Sequence, residues 1–535
     1  MSSAPVSSVA SWLSDAMEHH RAGRLEEAEG LYQRILQAEP RHADAHHLLA
    51  TIGLQRGVHQ DVQTHARKAV EIAPGRAAYH RTLGQILKEL GDVQGARASF
   101  EQALGLNPRF APAANSLGLM HEEQGEGERA IELYRQAIEA MPQFAEAHFN
   151  LGNALRKAGR AEAAIKAYRQ TILTNPGFAL GHHNLGNMLF SAHADHEGAM
   201  ACYRKALELK PDLALAQEGR AHILLAQGRW KEGFRAYGYR SVRPLAAPLG
   251  ISGIPALPAD LDAALLRHRT LVLIGEQGVG DVLFFARFVP LLAARGVELI
   301  YWGDQRLAPM LARGVGLTRC YGMDETPPED LPRVPMGDLP GLLGMSEGDP
   351  LPPTPDLMPE PERVQRICET LGRLGPPPYT AVTWRAGSKL MEHALYKGIP
   401  LVQLAAALRF APGTLISVQR LPKAGETEQL AAITRRPVHD LAAVNEDLED
   451  MLALMSLVDD YVSVSNTNVH LRASTGRCAR ILAPIPSEWR WMWDGEFSPW
   501  YPEMQIFRQQ RDGWQNALAH LGKMLSESSA KPDAK

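Results

Sequence analysis

Three stretches carry residue types that could act together on an anionic ligand. The first is Tyr461 to Gly476, YVSVSNTNVHLRASTG. Tyr461, Val462 and Val464 are strand formers; Ser465, Asn466, Thr467 and Asn468 can each cap a helix start; His470, Leu471 and Arg472 open a helical pattern. A strand that runs through a polar turn into a helix gathers unpaired backbone N–H groups and the positive end of a helix dipole at one point. That suits the diphosphate of a nucleotide sugar. The same residues also serve a plain capped helix behind a buried strand. The second stretch, RAGSKLMEHALYKGIP, is a long polar loop with Arg385, Lys389 and Lys397. The third is GEQGVGD, Gly275 to Asp281. Its glycines, Gly275, Gly278 and Gly280, are spaced GxxGxG, not GxGxxG, and no GK[ST] follows, so neither NAD nor ATP is favoured.

These stretches need a scaffold, and the second half of the chain predicts one. Strands are expected at Thr270–Ile274, Val297–Trp302, Tyr379–Trp384, Thr414–Gln419, Tyr461–Val464 and Ala479–Ile485, alternating with helices such as VLFFARFVPLLAARG and Arg363–Leu374. Strand, Gly-rich turn, helix and strand make a βαβ unit, so the sheet should be parallel with ligands at the C-terminal strand ends. Two such units, joined by the proline-dense segment Asp324 to Glu362, predict two facing Rossmann-like halves with a cleft between them. The expected boundaries are 269–362 and 363–535, with a crossing segment at the C-terminus.

The first half is a repeat. Pro40, Pro74, Pro108, Pro142 and Pro176 stand 34 residues apart, and Pro211 follows after 35. That period is the signature of the tetratricopeptide repeat, two helices per unit. Ten residues past each proline is a small residue (Ala50, Gly84, Gly118, Gly152, Gly186, Ala221), where helices must approach closely. Ala96, Ala130, Ala164 and Ala199 are each followed four residues later by an aromatic, Phe100, Tyr134, Tyr168 and Tyr203. Six repeats and a degenerate seventh, Asp212 to Arg240, fill 1–240. NLGN recurs, so Asn150 matches Asn184 and Asn153 matches Asn187; such a row can bind the backbone of an extended peptide, or can be repeat consensus. His46, His80, His148 and His182 also share one position, which fits packing better than metal binding. Trp230, Phe234, Tyr237 and Tyr239 predict an aromatic plug onto the next domain, and 241–268, rich in Pro and Gly, an irregular linker.

The bulk properties set limits. A chain of 535 residues needs two or three domains. With 45% hydrophobic and 22% charged residues, net charge −4 and pI near 6.6, it reads as globular, with no field suited to nucleic acid or an anionic membrane. No apolar run approaches a bilayer span, and the N-terminal residues lack the pattern of a leader; the expectation is a cytoplasmic protein. Cys202, Cys320, Cys368 and Cys478 form no CxxC pair, which suits a reducing compartment.

GEQGVGDVLFFARFVPLLAARG, the strand and basic loop at Ala381 to Lys397, SVSNTNVHL, and SEWRWMWDGEFSPWYPEMQIFRQ together resemble bacterial tetratricopeptide-repeat proteins with a C-terminal glycosyltransferase domain. That domain is similar to the heptosyltransferases of the GT-B fold, and the asparagine row resembles the ladder of the O-linked N-acetylglucosamine transferases. The implied fold is an α-helical repeat superhelix followed by an α/β GT-B domain. The implied reaction is transfer of a sugar from a nucleotide-sugar donor, inverting, with no metal and no cofactor. Asp281 matches the family's base, and Glu276 is a second candidate. Arg385, Lys389 and Lys397 would meet the departing diphosphate, and Ser465 to Asn468 with His470 would hold its oxygens. Gly278 and Gly280 shape the loop. Trp489, Trp491, Trp493 and Trp500 read as packing for a C-terminal helix that crosses between the halves. Where relatives show Asp-Thr, this chain has Ser465 and Asn466, and no separate loop obviously supplies the lost carboxylate.

Three readings follow. In the first, the superhelix selects a protein acceptor, such as a surface or flagellar protein, for O-linked modification. The second is a non-catalytic adaptor with a degenerate GT-B domain. The third is a transferase for a lipid-linked glycan or polysaccharide. A homodimer through convex faces is compatible with each.

Overall fold

The computed structural model describes residues 6–57, 61–240, 269–276, 278–328, 330–386 and 397–529. The chain divides into two compact units, Met1–Ala192 and His193–Lys535. The expected linker, 241–268, and Lys389 lie outside the described residues.

The first unit is made of paired helices. First helices Ala43–Arg56, Ala77–Glu89, Ala111–Glu123 and Ala145–Lys157 each begin three residues after a repeat proline, and second helices Val62–Ile72, Val93–Leu106, Gly127–Ala140 and Ala161–Thr174 answer them. The spacing of small and aromatic residues has a steric basis. A β-carbon on Gly84 would stand 2.7 Å from Phe100, one on Gly118 2.6 Å from Tyr134, and one on Gly152 2.6 Å from Tyr168. Each ring fills the space a β-carbon would take on the bare helix backbone. The first helix of each pair ends near a left-handed glycine, Gly57, Gly91, Gly125 and Gly159, at φ +65°, +81°, +79° and +72°.

The second unit begins with helices His196–Leu209, Ala214–Ala226 and Trp230–Tyr237 and continues into two parallel sheets. Strands β1 (Thr270–Ile274), β2 (Glu298–Trp302), β3 (Arg319–Tyr321) and β4 (Arg333–Pro335) form the first, in the order β3-β2-β1-β4. The second follows after helix Pro361–Leu374. It uses β5 (Tyr379–Thr383), β8 (Thr414–Ser417), β9 (Val438–Asp440), β10 (Asp460–Val464), β11 (Arg480–Ala483) and β12 (Gln505–Arg508), in the order β12-β11-β10-β5-β8-β9. A short antiparallel ribbon joins β6 (Arg385–Ala386) to β7 (Lys397–Gly398). The central strands are buried on both faces, which explains their continuous apolar runs.

Three features depart from the sequence expectation. The helix after the Gly-rich turn breaks into Val279–Phe285, a 3-10 turn Ala286–Phe288 and Val289–Ala293, because Pro290 offers no N–H to a continuous ladder. The proline-dense segment contributes β4, an edge strand, where proline is tolerated. The C-terminal helix, Gln515–Ser529, does not cross to the first sheet. It packs on helix Leu401–Leu408 and, with Trp514, Leu518 and Leu521, covers the second sheet. The tryptophan segment bridges the two sheets instead: Trp500 packs on Phe284, and its carbonyl accepts from Arg287 Nη1 at 3.0 Å. The aromatic plug seats here, with Trp230 against Trp500 and Phe234 against Trp489, ring centroids 4.9 and 5.9 Å apart.

Candidate functional site

The C-terminal ends of β1 and β10 lead into turns that meet. The contact depends on Gly280, where a β-carbon would lie 3.0 Å from His470 Cδ2 and 3.6 Å from the Thr467 Cα. A side chain at Gly280 would press on the His470 ring, which would have to give by a few tenths of an ångström, so glycine suits the close packing of helix Val279–Phe285 on helix Thr467–Ala473. Gly278 precedes the first of these helices in extended conformation. Two stretches 190 residues apart in sequence thus form one wall.

On that wall Asp281 accepts a short hydrogen bond from Arg490 Nη2 and keeps 31% of its side chain exposed. The Arg490 guanidinium lies 4.6 Å above the ring of Phe284 and 4.8 Å above that of Trp489, so it is held by both charge and stacking. Burial opposes its charge, yet Asp281 and Glu488 raise its pKa above the ordinary arginine value. His470 is buried and shares a 2.6 Å hydrogen bond with the Tyr501 hydroxyl through Nδ1. Burial, aided by Arg490, pushes its pKa well below 6.5, so the imidazole is neutral at pH 7.

The turn after β10 is tied down from inside. Asn466 Oδ1 caps the Val469 N–H at 3.1 Å, while its amide donates to Ser463 Oγ at 2.9 Å and to the Tyr461 hydroxyl at 3.1 Å. Asn468 is buried and donates to Asn445 Oδ1 at 3.1 Å. Asn466 and Thr467 form the part-exposed lip. Ser465 donates to Glu488 Oε2, and Lys397 pairs with the other oxygen of the same carboxylate. Burial opposes ionisation of Glu488, but Lys397 and Arg490 outweigh it and hold the pKa down at about 2. A carboxylate therefore does stand beside Ser465. It arrives from the tryptophan segment 23 residues on, contrary to the expectation that no other segment supplies one.

Two expected residues are occupied elsewhere. Arg385 pairs with Glu426 and donates to the Leu421 carbonyl at 2.9 Å, which ties the loop to the rim of the second sheet. Glu276 is 3% exposed and pairs with Arg240, which also binds Asp338. Burial is the larger influence on Glu276 and raises its pKa against the pull of Arg240. It locks the Gly-rich turn to the end of the last repeat helix, and Asp281 is the carboxylate left part-open.

Sequence reasoning passed over Arg490, Glu488, Arg287 and Tyr501. The signal was present in SEWRWMWD: charged residues set among tryptophans that are bound to be buried need partners of opposite charge.

In the repeats, the four histidines have a local role. Nε2 of His46, His80, His148 and His182 lies 3.0, 2.8, 3.0 and 3.1 Å from the carbonyl of Pro40, Pro74, Pro142 and Pro176. Each closes the junction that its own proline opens. The asparagines bond across repeats: Asn150 to Asn115 at 3.0 Å, and Asn184 to Asn153 at 2.9 Å, with Tyr168 donating to Asn153 at 2.8 Å. Asn187 bonds His183 at 2.9 Å. All four expected asparagines stay part-exposed.

The tetratricopeptide repeat family matches at residues 16–77, 81–143, 121–183 and 181–213. These repeats make the first part of the chain a surface for protein–protein interaction. The chain is similar to protein FlbA of Caulobacter vibrioides, 28% identical over 373 residues that cover 64% of this chain and 59% of FlbA. It thus spans less than two-thirds of that relative's length. Among solved structures it is similar to the Cut9–Hcn1 hetero-tetramer of APC/C (19% identity, TM-score 0.38, 40% of this chain and 42% of that one). It is also similar to PilF of Pseudomonas aeruginosa (18% identity, TM-score 0.37, 40% of this chain and 96% of that one). Among the described residues no helix is long and apolar enough to cross a membrane.

Proposed function

We propose that the two parallel sheets form a GT-B-type glycosyltransferase that moves a sugar from a nucleotide-sugar donor to a hydroxyl of a polypeptide selected by the repeats. The supporting observation is the close contact of Gly280 with His470 and Thr467, which joins the turn carrying Asp281 to the turn after β10. The acceptor oxygen attacks C1 of the sugar as the bond from C1 to the diphosphate oxygen breaks. The electron pair leaves with the nucleotide, and the hydroxyl proton passes to Asp281. Arg490 fixes one oxygen of that carboxylate, while the other lies beside Gly278. Lys397 and the lip Asn466–Thr467 face the leaving diphosphate, where positive charge is worth most in the transition state.

Donor turnover is the test. The full-length chain is incubated with UDP-, GDP-, ADP-, CMP- or dTDP-sugars, and nucleotide release is followed. Asp281→Asn is expected to lower release about a hundredfold with donor binding retained, in line with loss of a general base. Full turnover in Asp281→Asn would remove Asp281 from the mechanism. One observation favours the adaptor reading: Arg385, expected at the diphosphate, is already paired with Glu426. A chain that binds none of these donors is such an adaptor.

A further inference from the structure

Tyr501 comes from the tryptophan segment, and packing fixes its ring. It stacks on Trp491 with centroids 5.1 Å and planes 27° apart, and its N–H donates to the Ser498 carbonyl at 3.0 Å. The Arg287 guanidinium lies 4.8 Å from the centroid of the same ring. The hydroxyl is left 2.6 Å from Nδ1 of His470, and both residues are buried.

A buried phenol proton needs an acceptor. The guanidinium of Arg287 and the indole of Trp491 offer only donors, so neither can take it. The Glu488 carboxylate is engaged by Ser465 and Lys397. Among the described residues, the acceptor that the hydroxyl meets is Nδ1 of His470. A neutral imidazole has one bare nitrogen and one N–H, and the partner of the first settles the second. With Nδ1 accepting, the proton sits on Nε2.

The Cδ2–Nε2 edge of the ring faces the joined turns. A β-carbon on Gly280 would lie 3.0 Å from Cδ2 and 3.4 Å from Nε2. Phe284, on the same helix as Gly280, stands at 78° to the imidazole with centroids 6.4 Å apart. Nε2 has no hydrogen-bond partner among the described residues.

We propose that Tyr501 is a positioning residue: by donating to Nδ1 it holds His470 in its Nε2–H form and turns an N–H donor toward the junction of the two turns. This rests on the glycosyltransferase reading, in which the acceptor at that junction is an oxygen of the donor's diphosphate. The opposite tautomer would present a lone pair there and repel the same oxygen. Tyr501 thus decides whether His470 attracts an anion.

The experiment uses the full chain with isotope-labelled histidine at pH 7. Long-range proton–nitrogen correlation spectra separate a protonated ring nitrogen from a bare one, and the His470 signals are those absent from His470→Gln. Wild type is expected to show a protonated Nε2 and a bare Nδ1. Tyr501→Phe keeps the ring and its packing, and is expected to lose that single form, with both nitrogens averaged between the two. On titration with UDP, GDP and ADP, the wild-type Nε2 signal should shift on binding. Tyr501→Phe should bind about tenfold more weakly, as the loss of one hydrogen bond to a charged group does. A proton on Nδ1 in wild type overturns the inference with no variant involved. So does a Tyr501→Phe chain that keeps the Nε2–H form or the wild-type affinity, and so does a bound nucleotide that leaves the Nε2 signal unmoved. Failure of the parent reading is seen separately, as a wild-type chain that binds none of the nucleotides, because the tautomer is read before any is added.

Discussion

The two units solve one problem, the burial of polar side chains, in opposite ways. In the repeats the partner lies in the same repeat or the next one, as with Asn150 and Asn115. A histidine meets the carbonyl of a proline six residues back, in four repeats. In the α/β part the partner is far away. Arg240 binds Asp338 across 98 residues, Arg287 reaches Trp500 across 213, and Arg490 reaches Asp281 across 209. Local pairing makes a modular surface in which one position can change without disturbing the rest. Long-range pairing of buried charges makes a single assembly in which the candidate site and its supports stand or fall together.

That contrast can be broken most forcefully at Arg240. Arg240→Met strands the carboxylates of Glu276 and Asp338 in the core and is expected to cost about 3–5 kcal/mol. Calorimetry should show the loss in the transition of the His193–Lys535 unit. A loss spread over both units, or a negligible one, would contradict long-range coupling. Adding Glu276→Gln and Asp338→Asn should return much of the stability.

Next comes the glycine–aromatic interlock. Gly118→Val places atoms where Tyr134 sits 2.6 Å from the β-carbon position and is expected to cost about 2 kcal/mol by overpacking. Combined with Tyr134→Ala, the cost should fall well below the sum of the two singles, and simple additivity would refute the interlock.

A smaller effect is expected from pH. His46 and His65 face each other with their Nδ1 atoms 2.8 Å apart, and burial lowers the pKa of both. Burial likewise pushes neighbouring His47 down to about 4. Groups whose folded pKa lies below the unfolded 6.5 take up protons more readily in the unfolded chain as the medium acidifies. Their stabilisation is present above pH 6.5 and lost as pH falls toward 4. Hydrogen exchange in helices Ala43–Arg56 and Val62–Ile72 should speed up at pH 4.5 by about 2 kcal/mol of protection. Exchange that does not change, after correction for its intrinsic rate, would show that these rings are already protonated or exposed.

The smallest effect is His80→Ala, which removes one bond to the Pro74 carbonyl. About 1 kcal/mol of stability should be lost, confined to that repeat.

Legibility in the sequence follows the same divide. The repeats were readable because their contacts recur every 34 residues, so prolines, small residues and aromatics announce themselves by period. The strands β1, β5 and β10 were readable because burial on both faces leaves an uninterrupted apolar run. The four edge strands β3, β4, β9 and β12 were missed: at three or four residues each, they are too short to leave a pattern. In the candidate site, Gly280 was named from its turn, and Asp281 and His470 from the family resemblance; the structure packs Gly280 against His470, with Asp281 next along the chain. Glu488 was not foreseen beside Ser465, nor Arg490 beside Asp281, because neither contact has a periodic or local trace. Glu276 and Arg385 were plausible from their position in loops, and the loops turn their charges toward Arg240 and Glu426 instead.

The central claim is that the joined turns after β1 and β10 hold a nucleotide sugar. The most direct measurement is the melting temperature of the full chain with UDP, GDP, ADP, CMP and dTDP and their sugars, with no metal added. One nucleotide class should stabilise the His193–Lys535 unit, by about 2.7 kcal/mol at a hundred times its Kd, and Lys397→Met should abolish the shift. No shift with any nucleotide, or one that Lys397→Met leaves intact, would contradict the claim.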